Sequence, residues 1–134
     1  MTNLIVVYDP ADWPLDIPGV EVVAARSYLT RPEYATMQNA KVFNLSRYYR
    51  YQSTGYYVSL LAAARGHKPL PDITTIQDFK SQTILKIASE NLDEIIQKSL
   101  AKIRSKDFVL SIYFGHNLAK RYETLSQELF KLFR

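Results

Sequence analysis

The sequence predicts an α/β fold: a single domain at residues 1–134, with about four strands in a mostly parallel sheet and about three flanking helices. Three observations support this prediction. Short apolar runs of strand length alternate with longer segments in which apolar residues have helical spacing. Segments rich in proline and glycine separate them. The chain of 134 residues also has the size of one domain with one core.

Four apolar runs have the length and composition of buried strands. They are residues 4–8, 20–24, 41–45 and 108–114. Asp9 follows the first run and Gly115 follows the last, as expected of loop residues. Residues 67–71 are predicted to be extended, because each proline disfavours helix at the preceding residue. Pro32 is predicted to begin a short helix that reaches Met37.

The first long helix is predicted at residues 54–65. Ser53 or Thr54 can cap its free amides, and Gly66 stands where a left-handed residue usually ends a helix. The side chains predicted to form one apolar face of this helix are Tyr56, Leu60, Leu61 and Ala64.

Residues 81–104 carry the strongest helical pattern, with a break predicted near residues 89–91. Asn117 is predicted to cap a last helix that continues to the final residue, with Phe130 and Phe133 in its last turn. Such an end leaves apolar side chains uncovered. We therefore expect that the chain is the first part of a longer protein, or that this helix associates with a partner such as a second copy.

The composition is that of a globular domain, with 47% hydrophobic and 22% charged residues. No apolar run approaches the roughly 20 residues that span a bilayer, and no signal peptide is apparent, so we expect no membrane partner. The absence of cysteine excludes disulfides, thiol catalysis and thiolate metal sites. It also fits a reducing compartment, and we expect a cytoplasmic location.

Positive charge is concentrated in residues 34–71, which contain five Lys or Arg and no Asp or Glu, although the whole chain has a net charge of +4. Residues 44–57 have the order strand, polar loop, helix N-terminus. In an α/β sheet this junction faces the crevice where ligands bind, and helix amides and arginines favour an anion there. The predicted ligand- or anion-binding residues are Asn44, Ser46, Arg47, Arg50, Tyr51, Ser53, Thr54, Gly55, Tyr56, Arg65 and His67.

Two other interpretations of this basic segment stay open. Interleaved arginine and tyrosine can bind single-stranded nucleic acid, although the remaining charge is nearly balanced and no known nucleic-acid module is apparent. Alternatively, the tyrosines pack inward and the arginines lie in solvent, which makes the segment structural. The glycine pattern of a phosphate-binding loop is absent, so we do not expect this loop to bind a nucleotide by itself.

No catalytic or metal-binding constellation is apparent in the sequence. Asp9 and Asp12 can form a carboxylate pair or a weak metal site, but such residues more often cap a loop. His67 and His116 each lack a second ligand at metal-binding spacing, which favours structural roles. We expect no catalytic residue, no metal and no cofactor in these 134 residues.

Residues 42–51 and 55–67 resemble the hallmark stretch of RimK-like ATP-grasp N-terminal domains. Residues 27–30, Leu70-Pro71 and a predicted strand ending at Phe114-Gly115 before an amphipathic helix also fit this family. Members usually continue into an ATP-grasp ligase, which these residues do not contain. The resemblance implies an accessory α/β domain, with ATP and Mg²⁺ bound by the ligase domain that follows.

The resemblance, together with the basic segment, suggests a non-catalytic recognition or docking domain. Its parent would be a RimK-like ATP-dependent ligase that joins an amino acid or peptide to a carboxylate. We expect the basic, tyrosine-rich loop to bind an acidic peptide or carboxylate, and the downstream ATP-grasp domain of the same chain to be a partner. A purely structural domain that packs on the ligase is the alternative.

Overall fold

The computed structural model describes residues 1–112 and 114–133. Two compact units are present, an N-terminal unit (Met1–Gln77) and a C-terminal unit (Asp78–Arg134). The α/β class and the four-stranded sheet are confirmed, and all three strand pairs are parallel. The described residues form seven α-helices, more than the expected three, because several are only one or two turns long.

The sheet lies entirely in the N-terminal unit. Its strands are β1 (Thr2–Val7), β2 (Val20–Ala24), β3 (Ala40–Asn44) and β4 (Lys68–Leu70), in the order β2-β1-β3-β4. In the register of the central strands, Leu4 pairs with Glu21 on one side and with Val42 on the other. The chain therefore leaves β1 toward one edge and returns to β3 on the opposite side of β1.

The N-terminal unit contains α1 (Ala25–Thr30), α2 (Pro32–Thr36) and α3 (Thr54–Ala64), and α4 (Ile73–Asp78) ends at the first residue of the C-terminal unit. The first three contribute to one core with the strands. This core consists of Leu4, Val6, Val23, Ala25, Tyr28, Tyr34, Ala40, Val42, Val58 and Ala62. Pro32 begins a helix as predicted, and Gly66 adopts the left-handed backbone (φ +75°) expected after α3.

The apolar face predicted for α3 is mostly not the face that the structure buries. Leu60 and Leu61 are half-buried and Ala64 is exposed, while Tyr56 alone of the predicted face is buried. The residues of α3 that are buried are Gly55, Tyr56, Val58, Ser59 and Ala62. Apolar side chains surround this helix on nearly every side, so their spacing does not indicate which face meets the sheet.

The C-terminal unit contains α5 (Gln82–Asn91), α6 (Asp93–Leu100) and α7 (Glu123–Leu132), with a short 3-10 helix at Lys120–Tyr122. The predicted break in the long helix is confirmed and falls at Leu92. The hydroxyl oxygen of Ser81 accepts a hydrogen bond from the Ile84 amide at 3.3 Å and caps α5. None of the described helices is long and apolar enough to span a membrane.

The predicted strand at residues 108–114 was wrong. Residues 108–112 are irregular and Phe114 lies in a turn with φ of 53°, while Tyr113 lies outside the described residues. A strand needs a hydrogen-bonding neighbour. The described part of the C-terminal unit contains no other strand, and β4 provides the fourth strand of the sheet.

The last helix begins later than predicted. Asn117 is not its cap, since its side-chain oxygen accepts from the Ala119 amide at 2.8 Å and forms a local turn instead. The Glu123 carboxylate, in the first turn of α7, accepts from the Asn117 amide at 3.1 Å and contacts His116 Nδ1. Phe130 is half-buried in this unit, so it does not project fully into solvent.

Candidate functional site

A cleft of about 530 Å³ lies beyond the carboxyl ends of β1 and β3. It is lined by Tyr8, Ser46, Arg47, Tyr48, Arg50, Gln52, Ser53, Thr54 and Gly55. The strand order reverses between β1 and β3. Ligands of open α/β sheets usually bind at such a switch point, beyond the carboxyl ends of the strands.

The loop after β3 folds tightly over the start of α3. An ideal Cβ on Gly55 would lie 2.1 Å from the carbonyl oxygen of Tyr48 and 2.7 Å from Cβ of Ser46. Gln52 takes a left-handed backbone (φ 64°) that turns the loop back toward the helix. Glycine at residue 55 therefore permits a close approach, and the group that approaches is the backbone carbonyl of Tyr48.

Asn44, the last residue of β3, is fully buried. Its side-chain nitrogen donates to the Gly55 carbonyl at 2.7 Å and to the Ser59 hydroxyl at 2.8 Å. Its side-chain oxygen accepts from the Ser46 hydroxyl at 2.6 Å. These bonds join the end of β3, the loop and α3, so Asn44 determines the shape of the site without lining it.

The two arginines of the cleft keep their guanidinium groups accessible. Arg47 Nη2 lies 3.4 Å from Oδ2 of Asp12, and 73% of the Arg47 side chain is exposed. The guanidinium carbon of Arg50 lies 4.8 Å from the ring centroid of Tyr48, a cation–π contact. No described carboxylate forms an ion pair with Arg50.

The N-terminus of α3 forms one wall of the cleft. Ser53 is the predicted cap, and its hydroxyl oxygen accepts from the Tyr56 amide at 3.3 Å. The amides of Thr54 and Gly55 have no acceptor within the helix, since the first turn of any helix leaves such groups unpaired. These amides and the helix dipole favour negative charge at this wall.

The tyrosines of the basic segment divide into exposed and buried members. Tyr48 and Tyr51 are exposed, whereas Tyr56 is buried with its ring centroid 5.3 Å from that of Tyr51. The Tyr49 hydroxyl donates to the Asn44 carbonyl at 2.6 Å, and burial raises the pKa of Tyr49 above its ordinary value. Neither Tyr51 nor Tyr56, both predicted site residues, is among the residues that line the cleft.

Arg65 and His67 lie at the opposite end of α3 from the cleft. Arg65 Nη1 donates to the Tyr28 carbonyl at 2.8 Å. His67 Nε2 lies 2.8 Å from the Met37 carbonyl, and its Nδ1 lies 2.8 Å from the Tyr28 hydroxyl. A carbonyl only accepts hydrogen bonds, so Nε2 of His67 donates to the Met37 carbonyl. Arg65 and His67, both predicted site residues, therefore form contacts within the fold. They link the end of α3 to α1, and His67 also contacts Met37 after α2.

The loop after β1 contributes Tyr8, which the sequence pattern had not singled out for this cleft. Tyr8 lines it, and Asp12 pairs with Arg47. Asp9 caps the short 3-10 helix Pro10–Asp12, because its side chain accepts from the Ala11 amide at 3.0 Å. Tyr8 could have been found from the switch-point rule, which places the ends of β1 and β3 side by side. Among the described residues, no cluster of His, Asp or Glu is arranged to hold a metal ion.

A larger, open groove of about 780 Å³ lies on the C-terminal unit. Its lining comes from exposed residues between Gln82 and Asp93 and includes Lys86 together with Glu90. Charges of both signs on one exposed helical surface favour no particular ligand. The cleft beyond the carboxyl ends of β1 and β3 is therefore the stronger candidate site.

The fold and the cleft define an α/β domain with a cleft at the switch point of a parallel sheet. Residues 25–134 match the family model described as the RimK-like ATP-grasp N-terminal domain. Because the match covers most of the chain, the chain belongs to this family. In RimK-like proteins, domains of this family precede an ATP-grasp domain. No curated protein and no solved structure matched in the corresponding searches.

Proposed function

We propose that this chain is the non-catalytic recognition domain of a RimK-like ATP-dependent carboxylate–amine ligase, and that its cleft binds a carboxylate of an acidic peptide or similar ligand. One observation carries the proposal. Two accessible arginines, Arg47 and Arg50, share a cleft with the N-terminus of α3 at the switch point of the sheet. Guanidinium groups match carboxylates geometrically, and the helix terminus adds amide donors.

In this proposal, ATP and Mg²⁺ bind to the ATP-grasp domain, which follows in the same polypeptide and is the partner of this one. The present domain contributes ligand selection. We expect the chain of 134 residues to show no magnesium-dependent ATPase activity. Measurable activity that is lost on mutation of a residue within these 134 would contradict this assignment.

The direct test is binding of a tetra-aspartate peptide with blocked ends, compared with its tetra-asparagine counterpart. Arg50→Ala should weaken binding about tenfold or more, because a hydrogen bond to a charged group contributes about 1.5–3 kcal/mol and about 1.4 kcal/mol is one factor of ten. Arg26→Ala is the matched control, since Arg26 is exposed on α1 and does not line the cleft. Equal binding of both peptides, or no effect of Arg50→Ala, would contradict the proposal.

A second candidate function is the binding of single-stranded nucleic acid. The observation that favours it is the contact between Arg50 and the exposed Tyr48 ring, which combines charge with a stacking face. A labelled oligothymidylate is the probe. When phosphate contacts dominate binding, the logarithm of the binding constant falls linearly with the logarithm of salt concentration. A steep slope, together with no preference for tetra-aspartate over tetra-asparagine, would favour this function over carboxylate recognition.

A further inference from the structure

We infer that Asp12 is an internal competitor of the ligand: its carboxylate occupies Arg47 while the cleft is empty, and a ligand carboxylate takes its place. This inference rests on the proposed function and adds to it an element that limits affinity. It concerns a residue outside the basic segment, on the loop that follows β1.

The ion pair joins Arg47, which lines the cleft, to Asp12, which lies next to Arg47 but is not part of the cleft lining. Arg47 belongs to the loop after β3, and Asp12 ends the 3-10 helix that follows β1. That short helix holds Asp12 in place, because the Asp12 amide donates to the Asp9 carbonyl at 3.0 Å and Asp9 also caps the turn through its side chain. Asp12 is thus presented to Arg47 by an ordered turn.

The contact between Asp12 and Arg47 is of the same kind as the contact proposed for the ligand, since both bring a carboxylate against a guanidinium. Oδ2 of Asp12 lies 3.4 Å from Nη2 of Arg47, so the chain's own carboxylate already stands against this guanidinium. The contact is a single long hydrogen bond, and 58% of the Asp12 side chain is exposed. Exposed ion pairs are weak, so a ligand carboxylate with two parallel hydrogen bonds can displace this one.

The two arginines of the cleft then have different roles. No described carboxylate pairs with Arg50, so it can receive a ligand without a competing partner. Nη2 of Arg47 contacts Asp12, so Arg47 can form two parallel hydrogen bonds to a ligand carboxylate only when this contact breaks. Removal of the Asp12 charge should therefore tighten binding through Arg47, and it should leave the contribution of Arg50 unchanged.

The experiment compares Asp12→Asn with Asp16→Asn by titration with the blocked tetra-aspartate peptide at low salt. Asp16 is the matched control, because it lies exposed on the same loop, has no ion pair among the described residues and loses the same charge. We expect Asp12→Asn to bind about twofold to fivefold more tightly than Asp16→Asn. This is the change in affinity that corresponds to the free energy of one exposed ion pair. In an Arg47→Gln background this difference should disappear.

The outcomes separate the two proposals. If the wild-type chain binds tetra-aspartate and Arg50→Ala weakens it, but Asp12→Asn and Asp16→Asn bind equally, the competitor role of Asp12 is wrong and the recognition function stands. If Asp12→Asn binds more weakly than Asp16→Asn, Asp12 supports the site instead of competing for it, and the inference is also overturned. If the wild-type chain does not prefer tetra-aspartate, both proposals fail. Circular dichroism of each variant checks that the fold is kept.

Discussion

The carbonyl oxygen of Tyr48 lies directly against Gly55, at a point where a Cβ would be only 2.1 Å away. No side chain fits this gap, although residue 55 lies in an ordinary helical turn. The start of α3 and the loop that carries both arginines can approach each other only because this residue is glycine. The shape of the cleft thus depends on one missing methyl group.

We predict that Gly55→Ala destabilises the fold and displaces the loop over α3. Overpacking of this kind costs about 1–3 kcal/mol, which exceeds the gain of up to about 1 kcal/mol in helix propensity. Urea unfolding measures the change. Thr54→Ala is the neighbouring control, since Thr54 is exposed and its loss should change the free energy of unfolding by less than about 0.5 kcal/mol. A Gly55→Ala variant as stable as the wild type would show that the loop does not pack as described.

Asn44→Ala should lower the free energy of unfolding by about 2 kcal/mol or more. The substitution removes two hydrogen bonds donated by the buried amide, each of which contributes about 1 kcal/mol, and also leaves a cavity. Chemical denaturation provides the measurement. Asn91→Ala serves as the control, because Asn91 is exposed at the end of α5. Equal stability of the two variants would mean that the Asn44 network does not hold β3 to α3.

Alkaline pH should weaken the N-terminal unit through its tyrosines. Burial raises the pKa values of Tyr28, Tyr34 and Tyr49 above the ordinary 10.0. A phenol with a raised pKa in the folded state stabilises the fold fully below pH 10.0, and this stability is lost as pH rises through the folded pKa. Absorbance near 295 nm should show late-titrating phenols, and Tyr49→Phe should remove one of them. If all the phenols of the chain titrated at ordinary pKa values, the burial of these three tyrosines would be contradicted.

Acid should weaken the start of α7 through Glu123. Hydrogen bonds from His116 and the Asn117 amide lower the pKa of this carboxyl below its ordinary 4.5. The resulting stability is fully present above pH 4.5 and is lost as pH falls through the folded pKa. We expect NMR titration to show an upward shift of the Glu123 pKa in a His116→Ala variant. An unchanged value would show that His116 does not act on Glu123.

Self-association through the C-terminal helix stays a prediction. An apolar hollow of about 410 Å³ in the C-terminal unit is lined by Phe79, Leu110, Ile112, Leu129, Phe130 and Phe133. Apolar surface of this kind favours association with a second copy. Sedimentation should show a dimer at high concentration that Phe133→Ser weakens. Leu118→Ser is the control, since Leu118 is 91% exposed and does not line the hollow. A strictly monomeric wild type would contradict the prediction.

Features with a local cause were predictable from the sequence. Strands β1, β2 and β3 lie at the short apolar runs where they were predicted, and Ser53 and Gly66 stand at the two ends of α3 as predicted. The position of the candidate site followed from the charge of residues 34–71 and from the strand–loop–helix order. Each of these signals depends on residues that are close together in the chain.

Features that depend on distant neighbours were not predictable in this way. Residues 108–114 have the composition of a strand, yet residues 108–112 and Phe114 lie outside any strand, since the described part of their unit contains no strand with which they could form a sheet. Arg65 and His67 belong to the basic segment in sequence, but the length of α3 carries them away from the cleft.

The sequence by itself determined the α/β class, both ends of α3 and the excess of positive charge beside the N-terminus of that helix, because these follow from composition and short-range spacing. Tertiary structure alone decided which side chains meet. It placed Asp12 against Arg47, 35 positions away, and the Tyr48 carbonyl against Gly55. Such contacts depend on strand order and loop packing, which bring together residues that no local pattern connects.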